Sequence, residues 1–248
     1  MARSKSCLVA RLSNYIDIDD RLENLLATLE KNEKPFDENT EVYHGGEQTQ
    51  NLYVVKHGWF LSYTDLPDGS RLIVKLHHPG DILGFDGIAY KKHAISLKSC
   101  TAGHLCPFDK QDLDAIFETA PQLTALLFSL AVREQVITID RLKVISRMSA
   151  KPRLAHFLLD LICRLRMTNP SMSDEFRLPL TQTEIGDAIG LTNVSVSRTF
   201  GRMEEAGLIK RTDTGIRLLN EAELIKSCDF EDRHSKIDTS WFPQSHSQ

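Results

Sequence analysis

The sequence predicts an α+β chain with a small antiparallel β-barrel, one long helix and a C-terminal winged helix-turn-helix. Within a stretch rich in strand-forming residues, glycines recur at intervals of 11 to 12 residues, at Gly46, Gly58, Gly69 and Gly80. The 25 residues that follow Pro121 contain neither glycine nor proline, as a long helix requires. Residues 181–207 then show two short amphipathic segments joined by a glycine. Together these patterns predict the fold class.

Length and composition place the chain among globular proteins with room for two domains. Its 248 residues are 41% hydrophobic and 26% charged, and a domain usually takes roughly 100–200 residues. No uninterrupted apolar run approaches the roughly 18 residues that cross a bilayer, and the first residues lack the apolar core of a signal peptide. Five scattered cysteines, an odd number, are typical of a reducing compartment. We therefore expect a cytoplasmic protein with no membrane partner.

Residues 1–120 are expected to form the barrel domain. Asp19 is placed to cap a short helix, and the apolar period changes from helical to alternating after Pro35. Strand-forming segments follow at Leu52–Val55, Trp59–Tyr63 and Arg71–Leu76. Pro67 and Gly69 predict a tight turn before the last of them, because proline fixes φ and glycine accepts a positive φ.

Residues 121–147 are expected to form the long helix. Apolar side chains fall on a heptad seam, at Leu123, Leu127, Leu130, Ile137 and Val144. Glu134 and Arg141 interrupt this seam. A strict 3.5-residue repeat suits a partner helix better than a curved sheet does, so the seam predicts a homodimer. The alternative is a helix that packs wholly on its own domain.

Residues 148–220 are expected to form a second domain. Ser149 offers an N-cap, and Pro152 is tolerated in the first turn of the helix that it would begin. This pattern places the domain boundary at Met148–Ser149. Further along, Phe176–Leu180 predicts a short strand.

Charge is distributed unevenly along the chain. Residues 147–220 carry a net charge of +3, whereas residues 1–146 carry −4 and the tail, residues 221–248, carries −3. Only the second domain has the sign that favours a polyanion. The tail contains Trp241 and Phe242, which fit either a disordered end with an incidental aromatic pair or a segment that docks in an apolar groove.

Residues 181–207 have the pattern of a helix-turn-helix. Thr181 and Glu184 have the spacing of a capping box, and Gly190 is placed for the turn. In the second helix, the buried face is predicted to comprise Val196, Phe200 and Met203. The opposite face then presents Asn193, Val194, Ser197 and Arg198 in the N-terminal half, where a recognition helix meets base edges.

These side chains form a chemically plausible set for reading DNA. Arg198 can donate two hydrogen bonds to O6 and N7 of guanine, and Ser197 can bond a base or contact a thymine methyl group. Val194 can make only apolar contact, and Asn193 lies beside it. Phosphate contacts are expected from Thr181, Gln182, Ser195 and Arg202. The predicted partner is double-stranded DNA.

A β-hairpin is predicted directly after the second helix. Leu208–Arg211 and Ile216–Leu219 are the two strands, and the first carries Lys210 and Arg211. A helix-turn-helix followed by such a hairpin is a winged helix. The alternative is a helical hairpin with no ligand.

The order of these parts resembles the CRP/FNR superfamily of bacterial transcription regulators, in its FNR and FixK branch, over residues 15–220. The matching segments are NLYVVKHGWFLSY (51–63), PGDILGFDGI (79–88), EIGDAIGLT (184–192) and VSVSRTFGRMEEAGLI (194–209). The resemblance implies a jelly-roll barrel of the cyclic-nucleotide-binding type, a dimerisation helix and a homodimer on a palindromic operator. It also implies RNA polymerase as a partner if the protein is an activator, and no enzymatic activity.

The resemblance does not carry over the family's cofactors. Its oxygen-sensing members hold an iron–sulfur cluster with an N-terminal group of cysteines and one barrel cysteine. Here only Cys7 lies near the N-terminus, and the barrel position corresponds to His104, so no cluster is expected.

The members that bind cyclic AMP use a Glu for the ribose and an Arg-Ser pair for the phosphate. The corresponding positions are Phe85 and Asp86, and His93 and Ala94. Without the Arg, a phosphate lacks its bidentate partner, so cyclic AMP is not expected here. Two hypotheses for the signal stay open: control by abundance, which the FixK resemblance suggests, or an unidentified effector at these four residues.

The recognition helix also departs from the family pattern. FNR-like proteins place a Glu three positions before the Ser of the Ser-Arg pair, where it reads a C·G pair, and this sequence has Val194 there. A methyl group cannot accept a hydrogen bond from cytosine N4. We therefore expect TTGA-like half-sites that keep the guanine read by Arg198 and change the pair opposite Val194.

Other chemistries give three further alternatives. His77 and His78 point to opposite faces of a regular strand and cannot both bind one metal, and the HxH motif of a cupin-type metalloenzyme is missing. A regulator that senses metal, haem or thiol oxidation through a histidine or a cysteine is a second alternative. For Cys100 and Cys106, a role as two small apolar residues in a sheet is favoured over redox or metal chemistry. A third is an adaptor whose winged helix contacts protein.

Overall fold

The computed structural model of the chain describes residues 6–213 and 215–243. Thr214 of the predicted wing turn, the first five residues and the Ser-, His- and Gln-rich end after residue 243 lie outside these ranges. The described residues divide into two units. One comprises residues 6–66, 73–131 and 237–243, and the other comprises residues 67–72, 132–213 and 215–236.

Short helices flank the strands of the first unit. They are α1 (Cys7–Leu12), α2 (Asp20–Thr28), α3 (Asp86–Ala89) and α4 (Asp114–Thr119), and a 3₁₀ turn spans Lys110–Leu113. The predicted cap of α2 is present, because the Asp19 carboxylate accepts a hydrogen bond from the Leu22 N–H at 2.8 Å. Such a bond satisfies one of the free N–H groups at the helix start.

Two antiparallel four-stranded sheets make up the barrel. Their strands are β1 (Lys34–Phe36), β2 (Glu41–Tyr43), β3 (Leu52–His57), β4 (Phe60–Asp65), β5 (Arg71–His77), β6 (Ile82–Leu83), β7 (Ser96–Ser99) and β8 (Gly103–Phe108). One sheet has the order β1-β8-β3-β6, and the other has the order β2-β7-β4-β5. The three segments predicted as strands coincide with β3, β4 and β5.

Apolar side chains fill both faces of the first sheet. Toward the second sheet, the buried cluster comprises Tyr43, Val55, Phe60, Leu83, Leu97 and Leu105. The opposite face packs Leu52, Val54, Cys106 and Phe108 against α1, α2 and the start of the long helix. Because successive residues of a strand alternate between faces, β3 and β8 contribute to both clusters.

The glycine rhythm marks turns in which the backbone is left-handed. Gly46, Gly58, Gly69 and Gly80 all have φ between 81° and 89°. At Gly58, a Cβ atom would also lie 2.6 Å from the Cα of Gly103. A side chain at Gly58 is therefore excluded by conformation and by space.

The long helix α5 spans Pro121–Arg147, but its exposed seam is not the predicted one. Leu123, Ile137 and Val144 of the predicted seam are buried within the chain itself. A second heptad series is exposed instead, with Phe128 64%, Val132 42%, Ile139 63% and Leu142 65% accessible. For these three residues, the alternative that the helix packs on its own chain is therefore correct. The second heptad series remains an exposed apolar stripe.

By length and composition, α5 is also apolar enough to cross a membrane. Its mean hydropathy reaches 1.2 over eighteen residues, of which 28% are buried. Sequence analysis missed this property because it sought an uninterrupted apolar run, whereas the apolar residues of α5 are interspersed with polar ones.

The second unit contains the remaining elements. After the end of α5 come α6 (Ala150–Thr168), β9 (Glu175–Phe176), α7 (Gln182–Ile189), α8 (Asn193–Glu205), β10 (Ile209–Arg211), β11 (Ile216–Leu218) and α9 (Glu221–Cys228). The three strands form one antiparallel sheet in the order β10-β11-β9. α6 packs against α7, α8 and α9.

Two local predictions in this unit need correction. Ser149 occupies the N-cap position of α6, but its side chain makes no capping hydrogen bond. The predicted strand Phe176–Leu180 is shorter and earlier, at Glu175–Phe176, because only these two residues pair with β11. Pro179 lacks an N–H for a sheet ladder.

The tail is ordered through the described residues, so the disordered interpretation is wrong for this part. In the first unit, Phe242 is only 4% exposed and belongs to the cluster that contains Leu8, Leu12 and Leu26. Ile237 packs against the same cluster. Trp241 is 55% exposed and contacts the Phe242 ring edge-on, with the centroids 4.9 Å apart.

The two adjacent aromatic residues of the tail should differ in their effect on stability. Phe242→Ala removes a buried ring and is expected to lower the free energy of unfolding by about 3 kcal/mol. Trp241→Ala is the matched control and should cost less than about 1 kcal/mol. Urea unfolding followed by circular dichroism measures both. Equal effects of the two variants would contradict the docking of Phe242.

Candidate nucleic-acid interface

The first helix of the motif begins with the predicted capping box. The Thr181 hydroxyl accepts a hydrogen bond from the Glu184 N–H at 3.2 Å, and the Glu184 carboxylate accepts one from the Thr181 N–H at 2.9 Å. The Thr181 hydroxyl also donates to this carboxylate at 2.9 Å. Ile185, Ala188 and Ile189 form the buried face, as predicted.

The turn between α7 and α8 depends on two glycines. Gly190 ends α7 in the left-handed region, with φ of 67°. Gly186 lies so close to the Leu191 carbonyl that a Cβ atom would overlap it. The approach of the turn to α7 therefore requires glycine at both positions.

The second helix, α8, buries one face and exposes the predicted reading face. The Thr192 side chain caps it by accepting a hydrogen bond from the Ser195 N–H at 3.2 Å. Its buried residues are Val196, Thr199, Phe200 and Met203. Asn193, Val194, Ser197, Arg198 and Arg202 are exposed, and Ser195 is half-buried.

Some arginines of α8 and the wing pair with carboxylates, and others do not. Arg211 donates to the Glu204 carboxylate at 2.9 Å, and Arg217 donates to Glu175 at 2.9 Å. The pairing holds the pKa of Glu204 below its ordinary value. Within residues 6–213 and 215–243, by contrast, Arg198 and Arg202 pair with no carboxylate. Their guanidinium groups are available to a ligand from solvent.

The predicted wing is present, and its Arg211 is paired with a carboxylate of α8. β10 and β11 pair antiparallel, with Ile209 opposite Leu218 and Arg211 opposite Ile216. Besides its bonds to Glu204, the Arg211 guanidinium lies 5.6 Å from the centre of the Phe200 ring. Arg211 therefore joins the wing to α8, and both Lys210 and Arg211 are exposed on β10.

An arginine that sequence analysis missed links the end of α5 to the turn. Arg153 of α6 donates through Nε to the Met148 carbonyl at 2.8 Å. Through Nη1 it donates to the carbonyls of Gly190 at 3.0 Å and Ile189 at 3.4 Å. A guanidinium has five donors in a rigid plane, so one side chain connects the Met148 carbonyl to two adjacent carbonyls about 40 residues further along the chain. No sequence pattern marks this role.

Three of the four predicted phosphate-binding residues lie near helix starts, and Arg202 lies in the last turn of α8. Thr181 and Gln182 are exposed at the start of α7, and Arg202 is exposed on α8. The Ser195 hydroxyl accepts a hydrogen bond from the Thr192 hydroxyl at 3.0 Å. The N-terminus of a helix favours an anion, because its first N–H groups are free and its dipole is positive there.

In the barrel, three of the four residues of the predicted effector pocket come together. The Asp86 carboxylate accepts a hydrogen bond from the Ala94 N–H at 2.7 Å and lies 3.5 Å from Nδ1 of His93. His93 is buried, and its ring stacks on Tyr43 with the centroids 3.6 Å apart. Phe85 is largely exposed.

The histidines do not form a metal site among the described residues. His77 and the Ser62 hydroxyl lie 2.7 Å apart in the barrel, whereas the N–H of His78 donates to the Asp81 carboxylate at 3.0 Å. His104 lies 3.9 Å from Glu33 at the surface. No group of three or more His, Cys, Asp or Glu side chains in residues 6–213 and 215–243 is placed to hold a metal ion.

Four of the five cysteines are held as protonated thiols at neutral pH. Burial raises the pKa of Cys106 to about 11, that of Cys163 to about 12 and that of Cys228 to about 11, and it also raises the pKa of Cys7. Thiolates are the reactive form, so these environments disfavour thiol-based sensing. Cys100 and Cys106 are both buried, as the apolar interpretation predicts.

Family models match both halves of the chain. A Crp-like helix-turn-helix domain matches residues 152–227, and a cyclic nucleotide-binding domain matches residues 33–120. The two matches cover the winged helix and the barrel and leave the C-terminal part of the tail unmatched.

Curated relatives extend the similarity over most of the chain. An anaerobic regulatory protein of Aggregatibacter actinomycetemcomitans is 30% identical over 207 residues, which are 84% of this chain and 79% of the relative. A fumarate and nitrate reduction regulatory protein of Vibrio cholerae is 27% identical over 222 residues, or 90% of this chain and 88% of the relative.

Solved structures share the fold. FixK2 from Bradyrhizobium japonicum superposes with a TM-score of 0.70 at 26% identity, over 79% of this chain and 96% of that one. A CRP/FNR-family transcriptional regulator from Thermus thermophilus superposes with a TM-score of 0.61 at 18% identity, over 80% of this chain and 98% of that one. The second likeness concerns the fold alone.

Proposed function

The chain belongs to the CRP/FNR family of transcription regulators, and we propose that it acts as a homodimer that binds a two-fold symmetric operator through α8 of each copy. The observation that carries the proposal is the reading face of α8, where Asn193, Ser197 and Arg198 are exposed on a capped helix. A protein that regulates genes in this way works in the cytoplasm. If it activates transcription, RNA polymerase is a further partner.

The exposed stripe of α5 supports the dimer. Phe128, Val132, Ile139 and Leu142 are separated by four, seven and three residues, which is the spacing of a heptad seam. Gln135 fills the missing position of the repeat and is also exposed. A monomer rarely leaves such a contiguous apolar stripe in water, and a second copy of the same helix covers it with matching periodicity.

The exposed side chains of α8 suggest which bases each half-site contains. Arg198 is free to donate two bonds to one guanine, and Ser197 lies beside it. Val194 is 53% exposed and brings an apolar surface to the next base pair. The proposed half-site is therefore TTGA-like, with the guanine kept and a changed pair opposite Val194.

Backbone contacts are expected to fix the register. Gln182 and Arg202 are exposed at the edges of the reading face, and Thr181 and Ser195 lie at the starts of α7 and α8. Phosphate contacts of this kind supply affinity but little sequence information. In a dimer, the two reading helices must stand one DNA turn apart, roughly 34 Å.

Arg153 supports a route from α5 to the reading helix. Its guanidinium holds the Met148 carbonyl directly after α5 and the Gly190 carbonyl in the turn before α8. Ile145 of α5 lies next to Gly190 as well, since a Cβ atom there would contact it at 3.3 Å. A change in the end of α5 thus reaches the turn through direct contacts, as two-state coupling requires.

The barrel is proposed to work without a cyclic nucleotide or an iron–sulfur cluster. Asp86 supplies its own negative charge to the Ala94 N–H, which would otherwise be open to a phosphate. A phosphate at the Ala94 N–H would lie next to the Asp86 carboxylate, and two like charges in contact repel strongly in a partly buried site. Control by abundance is the simpler hypothesis, and an uncharged or cationic effector next to Asp86 is the alternative.

The dimer seam predicts the effect of a charge at its centre. Ile139→Glu places a carboxylate in the seam and should weaken dimerisation at least about a hundredfold. Lys143→Gln, which changes charge by one unit on an exposed residue outside the seam, should leave the dimer intact. Sedimentation velocity across a concentration series measures both. A dimeric Ile139→Glu variant would show that α5 is not the interface.

The two free arginines of α8 predict different losses. Arg198→Ala should cost about 1–3 kcal/mol on the operator and abolish the preference for guanine at one position of each half-site. Arg202→Ala, the matched control, should weaken binding to all sequences alike and reduce its salt dependence. Fluorescence anisotropy with single-base variants of the operator distinguishes the two. A uniform loss with Arg198→Ala would contradict base reading.

The carboxylate in the barrel predicts that cyclic AMP is not a ligand. Titration calorimetry of the wild-type protein should show a Kd weaker than about 1 mM, because His93 replaces the arginine that would pair with the phosphate and Asp86 already accepts the Ala94 N–H. Cyclic AMP should also leave the affinity for DNA unchanged. Micromolar binding would overturn this part of the proposal.

A further inference from the structure

Residues 229–236, which follow α9, form a strap that lies on two helices of the second unit. It begins at Asp229, whose φ of 51° ends α9 in the left-handed region. The side chains of Phe230, Arg233 and His234 then contact α5 and α6. Neither family model includes these residues, since the helix-turn-helix match ends at residue 227.

On α6 the strap makes a mostly buried polar contact. The Nε2 atom of His234 and the Oδ1 atom of Asp160 lie 2.7 Å apart, and the His234 side chain is 3% exposed. The Phe230 ring meets the His156 ring edge-on, with the centroids 5.3 Å apart. The His234 N–H donates to Asp232 at 2.8 Å, and this local turn orients the imidazole.

On α5 the strap makes two ion pairs. Arg233 donates to the Asp140 carboxylate at 3.0 Å and also pairs with Glu231 of the strap at 2.7 Å. Asp229 pairs with Lys143 at 3.0 Å, but both of these side chains are well exposed. Exposed pairs stabilise little, so Arg233 is the stronger of the two contacts on α5.

The charge of Asp160 depends on its partners. Burial alone would raise its pKa, but the hydrogen bond from His234 and the charges of His234, Arg164 and Arg141 hold the pKa well below its ordinary value. The carboxylate is therefore ionised, and His234 completes its pairing. Removal of His234 leaves a mostly buried carboxylate without its closest donor.

We propose that this strap positions α6 relative to the C-terminal half of α5, and so positions the reading helix. α5 ends at Arg147 and α6 begins at Ala150, so a two-residue junction separates the two helices that the strap connects. α6 packs against α7 and α8. A contact that restrains the angle at this junction restrains α8 as well. His234 and Arg233 are positioning residues, because they act through helices that they contact and not through DNA.

The first test needs no DNA. Hydrogen exchange followed by mass spectrometry compares the wild type with His234→Ala, His234→Gln and Ser235→Ala. In His234→Ala the amides of residues 140–156 should exchange at least about fivefold faster. The Gln side chain places an N–H donor near the position of Nε2 and should restore slow exchange. Ser235 is exposed and serves as the control.

Because replacement of the buried His234 could unfold the protein, a second pair of variants breaks the contact on α5 at more exposed positions. Arg233→Gln and Asp140→Asn each break the contact on α5, at positions that are about one third exposed. Their effects on exchange should not add in the double variant, because both remove the same interaction. Unchanged exchange at the junction in His234→Ala and in Arg233→Gln would overturn the proposal.

The consequence for DNA rests on the proposed function. One base pair inserted between the half-sites should weaken wild-type binding about thirtyfold and His234→Ala binding only about fivefold, because a looser junction tolerates a changed spacing. Binding to an isolated half-site should not change. If the wild type binds no palindrome, the proposed function fails while the exchange result still tests the strap. If the inserted base pair weakens binding equally in the wild type and in His234→Ala, while His234→Ala exchanges faster, the strap does not position α8.

Discussion

The junction between α5 and α6 fixes the position of the reading helix relative to the end of α5. Only Met148 and Ser149 separate the two helices, and the Arg153 guanidinium binds the first of these residues to the turn before α8. Charge-assisted hydrogen bonds to fixed carbonyls are strong and directional. The reading helix therefore follows the end of α5, and the proposed dimer seam on α5 sets the position of both reading helices.

The positions of the charged residues matter more for DNA binding than the net charge does. Residues 147–220 carry a net charge of only +3. Several of their arginines pair with carboxylates of the same unit, as Arg211 does with Glu204 and Arg217 with Glu175. Arg198 and Arg202 are left for a ligand. In the barrel, the Asp86 carboxylate accepts a hydrogen bond from the Ala94 N–H, and its negative charge disfavours an anion beside it.

Local chemistry made much of this fold predictable. The capping box of Thr181 and Glu184, the left-handed glycines and the buried faces of α7 and α8 all follow from interactions within a few residues. The seam of α5 was mispredicted because the helix carries two apolar heptad series, and periodicity cannot tell which one its own chain covers. Arg153 and the pair of Asp160 with His234 were missed because their partners lie 37 and 74 residues away in sequence.

The central claim is that the dimer reads a symmetric operator without an added ligand. The most direct measurement is selection of bound sequences from a pool of random duplexes by the purified, effector-free protein at physiological salt. We expect a palindrome whose half-sites keep the guanine read by Arg198 and lack a fixed C·G pair opposite Val194. Retention of no sequence by a folded, dimeric protein, or of sequences without symmetry and without that guanine, would contradict it.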